Sequence, residues 1–558
     1  MSRHRRAAVI AALTLGTAAG AAAIAQGVTA QPSSAREYVV VYSDAASAAQ
    51  GRAAVQAAGG TVVRENAAVG LAVVRSADAD FTAKADAETA LVGAAENRSI
   101  GRAPAERKAR QRLIEAGEGL RAGAPVNKPS APGEPLAGLQ WDMDMIGAPA
   151  AHRRETGSQR VLVGVIDTGI DGSHPDIAPN FSRKLSRNFT IDDPVIDGPC
   201  ADDPDGLCTD PPDVDEDGHG THVAGTIASP INGIGIAGVA PNVRLVNLRA
   251  GQDSGYFFLE PTVNALTYGA NIGVDVVNMS FYVDPWLYNC DANPADSPEA
   301  QQQQRTIRTA MQRALDYARS KGVTLISALG NENTDLGNPT ADDTSPDYPP
   351  DTAYPRVIDN SCIDVPAESE GVISVSSIGP SGRKAYYSNW GTEQTDVSAP
   401  GGDIRDFFGT DRYRTPANII LAPYPKALAE ANGQLNPDGT PNDEFVVSDC
   451  SSGTCSYYQY LQGTSMAAPH AVGVAALIVS RYGKQDRKHG GLTLDPAKTE
   501  RILLRTATDT ACPDPALFTY PDRDASYNAL CEGTTGRNGF YGDGIVNAAA
   551  AVGANGKH

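Results

Sequence analysis

The sequence predicts an α/β fold in which helices flank a parallel sheet, preceded by a small α+β domain. Near-continuous apolar runs, of the kind that form buried parallel strands, alternate with helical segments from Gln140 onward. Ahead of them, a shorter region alternates strand and helix patterns around the paired glycines Gly59 and Gly60. The 558 residues are 41% hydrophobic and 20% charged, a globular composition that allows a sizeable core.

The amino terminus has the pattern of a signal peptide over residues 1–30. A basic run from Arg3 to Arg6 precedes small apolar residues, and this stretch is too weak and interrupted to span a membrane. Small residues suit cleavage after Ala25 or after Ala30, and Arg5-Arg6 leaves a twin-arginine route open. We therefore expect a secreted, extracellular protein without a membrane anchor.

Residues 36–101 form the predicted small domain. Their pattern indicates strand 38–42, helix 45–58, strands 61–64 and 70–75, and a helix over about 80–95 with room for a short terminal strand. By itself this pattern also suits a separate binding domain. Residues 102–135 are polar, basic and rich in Pro and Gly, which is typical of a linker that proteases reach easily.

Residues 136–553 form the predicted main domain, which contains five apolar strand-like runs. In parallel sheets of this kind the working residues lie beyond the carboxyl ends of the strands. Polar residues that directly follow these runs are therefore candidates for a site. The runs are 161–166, 243–248, 274–279, 323–328 and 371–378.

All eight cysteines follow the leader, and an even number in a secreted protein favours disulfides. Eight cysteines allow 105 connectivities, and free buried thiols are the alternative. No pair has zinc-finger spacing. The short separations favour Cys200 with Cys208, Cys450 with Cys455 and Cys512 with Cys531, which leaves Cys290 for Cys362.

The charge is distributed unevenly along the chain. Residues 1–135 carry 16 Lys or Arg and 12 Asp or Glu, whereas the remainder carries 30 and 54. The two parts should therefore attract each other. An acidic body repels phosphate groups, which argues against nucleic acid as a partner and suits a soluble extracellular protein.

Two motifs place polar residues at the working edge of the predicted sheet. The run from Val161 ends in Asp167-Thr-Gly, so a carboxylate follows a buried strand. The segment Asp217-Gly-His219-Gly-Thr-His222 is a glycine-rich turn that leads into a helix of small residues. Glycines there allow close approach of the backbone and a substrate. Taken singly, a strand-end acid and a packed histidine are equally ordinary structural residues.

A third motif is Gly463-Thr-Ser465-Met-Ala-Ala-Pro469, which opens an apolar helix. Ser465 is expected at the amino end of that helix and Pro469 in its first turn. The helix dipole and free N–H groups there face developing negative charge. An N-cap serine is the structural alternative.

Together, in the order Asp, His, Ser, the three motifs closely resemble those of the subtilisin family, over roughly residues 139–550. The resemblance implies a subtilisin-like fold and a serine endopeptidase. Ser465 would attack the scissile carbonyl, His219 would act as base and then acid, and Asp167 would orient the imidazole. The resemblance also implies an oxyanion hole made by Asn331 and the Ser465 N–H, and a structural role for His222.

The resemblance also suggests residues that contact the substrate. Ser254-Gly255-Tyr256 would be the edge strand that pairs with an extended peptide, and Ser280, Phe281 and Gly330 would form the opposite side and pocket. Where the family usually has glycine after the serine, this chain has Phe281, followed by an insertion with Trp286 and Cys290. The pocket is therefore expected to be narrowed or reshaped. Asp217 either caps the helix or faces a basic substrate residue.

A structural calcium site is a further implication, whereas no cofactor is expected for catalysis. Its ligands would be the side chains of Asp176 and Asn232 and the carbonyls of Pro230, Ile234 and Ile236. A second candidate is the run 192–217, which has 11 acidic and no basic residues. A merely solvated acidic loop is the alternative there.

The small domain resembles the propeptide of this family, which implies an intramolecular inhibitor that is released when the linker is cut. We expect protein or peptide substrates and a monomer. A processing peptidase of narrow specificity and a peptide ligase are alternatives with the same mechanism. An inactive peptide-binding protein is a third alternative, but such a protein would normally lack a triad residue, and none is missing.

Overall fold

The computed structural model describes residues 35–96, 114–116, 133–201, 206–349 and 352–553. The predicted signal peptide and most of the predicted linker lie outside these residues. No helix within the described ranges combines the length and apolar character that a membrane-spanning segment requires.

The small domain is an antiparallel sheet of four strands in the order β2-β3-β1-β4. Helix α1 begins after Ser47, whose hydroxyl accepts the Gln50 N–H while the Gln50 side chain accepts the Ser47 N–H. Tyr38, Val40 and Phe81 are buried between the sheet and its helices. The elements are Arg36–Tyr42 (β1), Ala48–Ala57 (α1), Thr61–Asn66 (β2), Leu71–Ser76 (β3), Phe81–Asp86 (α2) and Leu91–Glu96 (β4).

The helix predicted over about 80–95 is wrong in its second half. The helix ends at Asp86, and residues 91–96 form β4, which pairs antiparallel with β1. The carbonyl of Val92 also accepts a hydrogen bond of 2.9 Å from Gln302 Nε2 in the main domain. Pairing with a strand and packing against a second domain therefore override the helix preference of this alanine-rich segment.

The main domain is built on a parallel sheet of seven strands in the order β13-β12-β9-β8-β5-β7-β6. The five predicted strands are confirmed within two residues. The strands are Leu162–Ile166 (β5), Arg187–Asn188 (β6), Arg244–Arg249 (β7), Val276–Met279 (β8), Thr324–Ala328 (β9), Ala341–Asp342 (β10), Arg356–Val357 (β11), Val372–Ile378 (β12), Val397–Pro400 (β13), Ile420–Pro423 (β14), Val446–Asp449 (β15), Ser456–Leu461 (β16), Lys484–Gln485 (β17), Leu492–Thr493 (β18), Leu517–Phe518 (β19), Ala529–Leu530 (β20), Gly533–Thr534 (β21) and Arg537–Asn538 (β22).

Helices cover both faces of this sheet. One core joins the sheet to α5 and α9, and the other joins it to α6 and α7. The sheet is thus buried on both sides, which explains why its strands are almost entirely apolar. The helices are Trp141–Met145 (α3), Ala148–His152 (α4), His219–Ala228 (α5), Leu259–Ile272 (α6), Pro298–Ser320 (α7), Lys426–Ala431 (α8), Thr464–Tyr482 (α9), Pro496–Thr506 (α10) and Ala548–Gly553 (α11).

The small domain lies against α6 and α7. Arg64 pairs with Glu260 at 3.0 Å, and Asn66 Nδ2 donates to Thr267 at 2.8 Å. Arg313 on α7 donates to the carbonyl of Tyr42 at 2.6 Å. The two domains are therefore joined by specific polar contacts, of which the pair of Arg64 and Glu260 has the polarity expected from the charge distribution.

The four predicted cysteine pairs are those found in the structure. Within the described residues no cysteine is free. Three disulfides join cysteines 5 to 19 residues apart in the sequence, and the fourth fixes the insertion that follows β8 to the segment before β12. The bonds are Cys200–Cys208, Cys290–Cys362, Cys450–Cys455 and Cys512–Cys531.

Candidate active site

Asp167 directly follows β5, and its side chain is fully buried. Its Oδ1 accepts hydrogen bonds from the Thr168 N–H at 2.8 Å and from His219 Nδ1 at 2.7 Å. His219 is the first residue of α5. The helix start is compact because Gly220 passes so close to the Gly169 carbonyl that a Cβ would lie 2.1 Å from that oxygen. The first two motifs therefore meet as a buried carboxylate–imidazole pair.

Asp215 belongs to the acidic run considered for calcium, but its carboxylate links these two motifs through hydrogen bonds. Its Oδ1 accepts from Thr168 Oγ1 at 3.1 Å and from the Gly218 N–H at 2.9 Å, and its Oδ2 accepts from the Thr221 N–H at 2.9 Å. Burial, with the neighbouring Asp217, raises the pKa of Asp215 to about 6. The only sequence signal was an acid just ahead of the helix start.

Ser465 is the second residue of α9 and is buried. Pro469 lies in the second turn of this helix, not in the first as predicted, because the helix already begins at Thr464. A proline there leaves the carbonyl four residues earlier without its helical donor. That carbonyl belongs to Ser465, and it accepts instead from Ser280 Oγ at 3.1 Å.

Asn331 follows β9 and is held by Thr464 at the start of α9. Its Oδ1 accepts from the Thr464 N–H and from Thr464 Oγ1, both at 2.9 Å. With the oxygen committed, Nδ2 is the end that remains for a substrate oxygen. The side chain thus has the orientation that an oxyanion hole requires.

The segment 114–116, from the predicted linker, lies in this site. Glu115 is only 8% exposed, and its Oε1 accepts from Ser465 Oγ at 3.2 Å and lies 3.8 Å from His219 Nε2. The Gln462 main-chain N–H donates to the Glu115 carbonyl at 2.8 Å. Within the described residues, Ser465 Oγ therefore bonds to Glu115 and to the Ser280 carbonyl rather than to His219. No sequence signal singled out Glu115.

The charges of Asp167, His219 and Glu115 affect one another's ionisation. Burial lowers the pKa of His219, but the carboxylates of Asp167 and Glu115 outweigh it and raise this pKa to about 10. Burial raises the pKa of Glu115, and His219 opposes that change. The carboxylate of Glu115 therefore favours the protonated form of the imidazole, in which Nε2 cannot accept a proton from Ser465.

His222 and Asp217 are two neighbouring residues whose roles were predicted from the sequence. His222 is buried and bonds through Nε2 to the carbonyls of Ile420 and Gln459, each at 3.1 Å, and burial lowers its pKa to about 3. Its structural role is confirmed. Asp217 precedes the N-cap residue Gly218, and its Oδ1 accepts the His219 N–H at 3.1 Å. Asp217 also lines the cavity next to His219, so both predicted roles remain open.

Four of the six residues predicted to contact substrate line one cavity of about 40 Å³ beside His219, namely Ser254, Gly255, Ser280 and Phe281. Phe281 stacks on Phe257 with ring centroids 4.2 Å apart, and the sequence did not identify Phe257.

The other two predicted contact residues lie elsewhere. The Tyr256 hydroxyl donates to the Asp347 carbonyl at 3.3 Å, so its ring turns away from the cavity. Gly330 forms the turn ahead of Asn331. The bulky side chains of the insertion, including Trp286, are buried rather than open to the cavity.

Asp176 lies against the loop 230–236, which contains the other predicted calcium ligands. Asp176 accepts from Asn232 Nδ2 at 3.2 Å and from the Ile236 N–H at 3.1 Å. Glu134, which the sequence did not single out, accepts the Gly233 N–H at 3.1 Å. Pro230 and Ile234 belong to the same loop, in which the Ile234 N–H bonds to Asn232.

The side-chain oxygens of Asp176, Asn232 and Glu134 have the chemistry that a hard cation needs. Burial, with Glu134 nearby, raises the pKa of Asp176 to about 8. The hydrogen bonds from N–H groups to these oxygens would have to break when an ion binds. The ligand atoms are therefore of the type that calcium binds, although in this structure they accept hydrogen bonds from N–H groups.

Several carboxylates of the acidic run 192–217 pair with arginine side chains. Asp192 and Asp253 lie 2.8 and 3.0 Å from the fully buried guanidinium of Arg249, and Asp210 also pairs with it. Asp213 pairs with Arg183. An arginine therefore supplies the positive charge that this cluster would otherwise take from a metal ion.

A family model described as the subtilase family matches residues 158–540. The thermophilic serine proteinase of Bacillus sp. (strain AK1) is 28% identical over 326 residues, 58% of this chain and 53% of that protein. Subtilisin E of Bacillus subtilis (strain 168) is 26% identical over 344 residues, 62% of this chain and 62% of that protein. The chain thus spans between half and two thirds of the length of these relatives.

Among solved structures, the crystal structure of the epidermin leader peptide processing serine protease from Staphylococcus aureus has the same fold. Its TM-score with this chain is 0.60 at 22% identity, and the match covers 94% of this chain and 99% of that one. At this level of identity the likeness shows a shared fold.

Proposed function

The chain belongs to the subtilase family, and on that premise we propose that it is a secreted serine endopeptidase that hydrolyses proteins with Asp167, His219 and Ser465. The observation that carries the proposal is the 2.7 Å hydrogen bond from His219 Nδ1 to buried Asp167, beside the amino end of the Ser465 helix. A carboxylate in that place decides which imidazole nitrogen carries the proton and leaves Nε2 to face the serine.

The proposed reaction proceeds through an acyl-enzyme. Ser465 Oγ attacks the carbonyl carbon of the peptide bond while its proton moves to His219 Nε2. The carbonyl oxygen becomes negative and accepts hydrogen bonds from Asn331 Nδ2 and the Ser465 N–H. When the C–N bond breaks, His219 gives its proton to the leaving amine, and water then releases the acyl group by the same steps.

We propose that residues 36–101 act as an intramolecular inhibitor until the linker is cut. Two observations support this proposal. The small domain contacts α6 through Arg64 and Asn66, and α7 through the main-chain carbonyls of Tyr42 and Val92. In addition, the linker carries Glu115 between Ser465 and His219, where it takes the hydrogen bond that the nucleophile needs. Cutting the linker would remove this carboxylate and lower the pKa of His219.

Secretion and calcium binding complete the proposal. Four disulfides suit an oxidising compartment, and they support export through the predicted signal peptide. The oxygen-rich side chains around the loop 230–236 support a structural calcium ion that takes no part in the reaction.

A processing peptidase of narrow specificity is the second candidate. It is favoured by the stacked pair of Phe257 and Phe281, whose bulky rings line the cavity beside His219 where the family usually has glycine after the serine. A peptide-library cleavage profile distinguishes the two candidates. A broad endopeptidase cleaves most sequences, whereas a processing enzyme cleaves a few related ones.

The first experiment is incubation of the purified protein with denatured casein, with and without a serine-directed phosphonylating inhibitor. We expect cleavage that the inhibitor abolishes, and mass spectrometry should locate the adduct on Ser465. The Ser465→Ala variant is the control. A protein freed of its linker that binds casein peptides without cutting them would instead be a binding protein, and an adduct on another residue would refute the assigned nucleophile.

A further inference from the structure

Asn389 is a fully buried side chain between β12 and β13 that contacts the turn after β9. Its amide nitrogen donates to the Leu329 carbonyl at 3.1 Å and to Glu332 Oε2 at 2.8 Å. Its amide oxygen accepts from the main-chain N–H groups of Glu332 at 3.1 Å and Thr334 at 2.8 Å. One turn, residues 329–334, therefore uses all four hydrogen-bonding positions of this side chain.

The partners fix the orientation of the amide. A carbonyl and a carboxylate only accept, so they face Nδ2, and main-chain N–H groups only donate, so they face Oδ1. The main-chain N–H of Asn389 adds a fifth bond, to the Gly330 carbonyl at 3.0 Å. Gly330 has φ of 102°, and a Cβ there would lie 2.4 Å from Asn389 Nδ2. Glycine is therefore required for this contact.

The same turn carries Asn331, which Thr464 contacts from the opposite side. Thr464 donates twice to Asn331 Oδ1 and accepts the Gly330 N–H at 3.1 Å. Asn331 thus lies between two sets of hydrogen bonds, one from the Ser465 helix and one from Asn389. An oxyanion donor acts only if it lies about 3 Å from the place where the negative oxygen forms. The position of Asn331 Nδ2 therefore depends on both sets.

We propose that Asn389 is a positioning residue for catalysis, which holds the turn 329–334 so that Asn331 Nδ2 meets the oxygen of the tetrahedral intermediate. The inference rests on the proposed peptidase function and adds to it a residue that does not touch the substrate. Because the oxyanion forms only during the reaction, loss of Asn389 should affect the transition state more than substrate binding.

Kinetics of the Asn389→Ala variant test the catalytic consequence. A displacement of the donor by about 1 Å is enough to lower kcat by about 10²-fold, so we expect a fall of about 10- to 100-fold, with KM within about threefold of wild type. Affinity for a peptide aldehyde, which forms a tetrahedral oxyanion on Ser465, should fall by the same factor as kcat/KM. Titration with the serine-directed phosphonate gives the concentration of folded active sites, so that kcat refers to active enzyme. The Asn331→Leu variant, which removes the oxyanion donor itself, is the reference for the loss of kcat.

Asn538 provides a matched control. It is equally buried, donates to the carbonyls of Thr510 at 2.7 Å and Thr534 at 3.0 Å, and accepts from the N–H groups of Phe540 and Tyr541. Asn538→Ala should lower the melting temperature as much as Asn389→Ala and leave kcat unchanged. Equal losses of kcat in both variants, or unchanged kcat in Asn389→Ala, would overturn the proposal.

A charge swap tests the contact with Glu332. Asn389→Asp retains acceptors for the N–H groups of Glu332 and Thr334 but places two carboxylates together. We expect kcat to fall, and addition of Glu332→Gln, which supplies an amide donor opposite the new carboxylate, to recover part of it. An equally low kcat in the single and double variants would show that this contact does not determine the position of the turn.

Hydrogen exchange separates this inference from the proposed function. Peptides covering residues 329–334 of the full chain should exchange faster in Asn389→Ala than in wild type or Asn538→Ala. A wild-type chain that cuts no protein would refute the peptidase proposal, and exchange would still decide whether Asn389 holds the turn. Unchanged protection of the Glu332 and Thr334 amides in Asn389→Ala would refute the positioning role.

Discussion

Ser280 Oγ donates a hydrogen bond of 3.1 Å to the main-chain carbonyl of Ser465. In an uninterrupted helix this carbonyl would accept from the residue four positions later, but Pro469 has no N–H. Asn278 Nδ2 in turn donates to Ser280 Oγ at 2.9 Å. The end of β8 thus replaces a bond that the sequence of α9 removes, directly beside the proposed nucleophile.

Ser280→Ala should therefore destabilise the protein through an unpaired buried carbonyl, at a cost of about 1–3 kcal/mol. The measurement is urea unfolding of the full chain in a Ser465→Ala background, where autolysis cannot occur. Pro469→Ala restores an N–H donor to the same carbonyl, so Ser280→Ala should cost less in its presence. Strictly additive effects of the two substitutions would contradict the shared carbonyl.

Ser465→Ala should abolish proteolysis and leave the linker uncut. The reason is that the described part of the linker already reaches the catalytic pair, with Glu115 Oε1 3.2 Å from Ser465 Oγ. The test is expression in a protease-deficient host, followed by mass measurement of the purified chain. Maturation of the variant at the normal rate would refute self-processing, and remaining activity would refute the nucleophile as well.

The parts of the site that lie within one motif were predictable from the sequence. Asp167, His219, Ser465 and Asn331 each follow a strand or open a helix, so short patterns locate them. The parts that join motifs were not predictable. Asp215 and Asn389 act through partners in other segments of the chain, and no local pattern records which turn a buried side chain will meet.

In the fold, too, features set by local sequence were predicted, and features set by distant contacts were not. Strands buried on both faces give continuous apolar runs, and all five were found. Strand β4 was assigned to a helix because its alanines favour helix locally, whereas its pairing with β1 and its contact with Gln302 depend on the folded chain. Pro469 was placed one turn too early because α9 already begins at Thr464, and the donor that replaces its missing N–H is Ser280, just after β8.

Glu115 should make the stability of the uncut chain depend on pH. The pKa of His219 is raised to about 10, above the ordinary value of about 6.5. The stabilisation is therefore fully present below about pH 6.5 and is lost as the pH rises through about 10. In a Ser465→Ala background, urea midpoints should fall across this range, and Glu115→Gln should reduce the fall.

The exposed Glu393 provides the control for this experiment, because Glu393→Gln changes the net charge equally at a position that does not line the cavity beside His219. Its pH curve should follow that of the parent. Superimposable pH curves for Glu115→Gln and Glu393→Gln would show that the charge of Glu115 does not raise the pKa of His219.

In the mature enzyme Glu115 no longer adds its charge, so the pKa of His219 should fall below that of the uncut chain. We expect kcat/KM to rise with pH through a single ionisation as the imidazole becomes neutral and able to accept the Ser465 proton. The measurement is kcat/KM on a neutral peptide amide between about pH 5 and pH 9. A flat profile over this range would contradict His219 as the base.

Calcium should stabilise the mature enzyme without taking part in its chemistry. Asp176, Asn232 and Glu134 gather oxygen atoms around one loop, and a ligand that binds only the folded state stabilises it by about 2.7 kcal/mol at a hundred times its Kd. Chelation should therefore lower the melting temperature and hasten autolysis, while initial rates in the cold stay nearly unchanged.

Calorimetry on Ser465→Ala protein, with chelator or with millimolar calcium, provides the measurement free of autolysis. Asp176→Ala should abolish the calcium-dependent shift, because it removes the carboxylate that contacts both Asn232 and the Ile236 N–H. A shift that survives Asp176→Ala would place the ion in the acidic run 192–217, where Asp192 and Asp210 already pair with the buried Arg249. Superimposable melting curves with and without calcium would reject both locations.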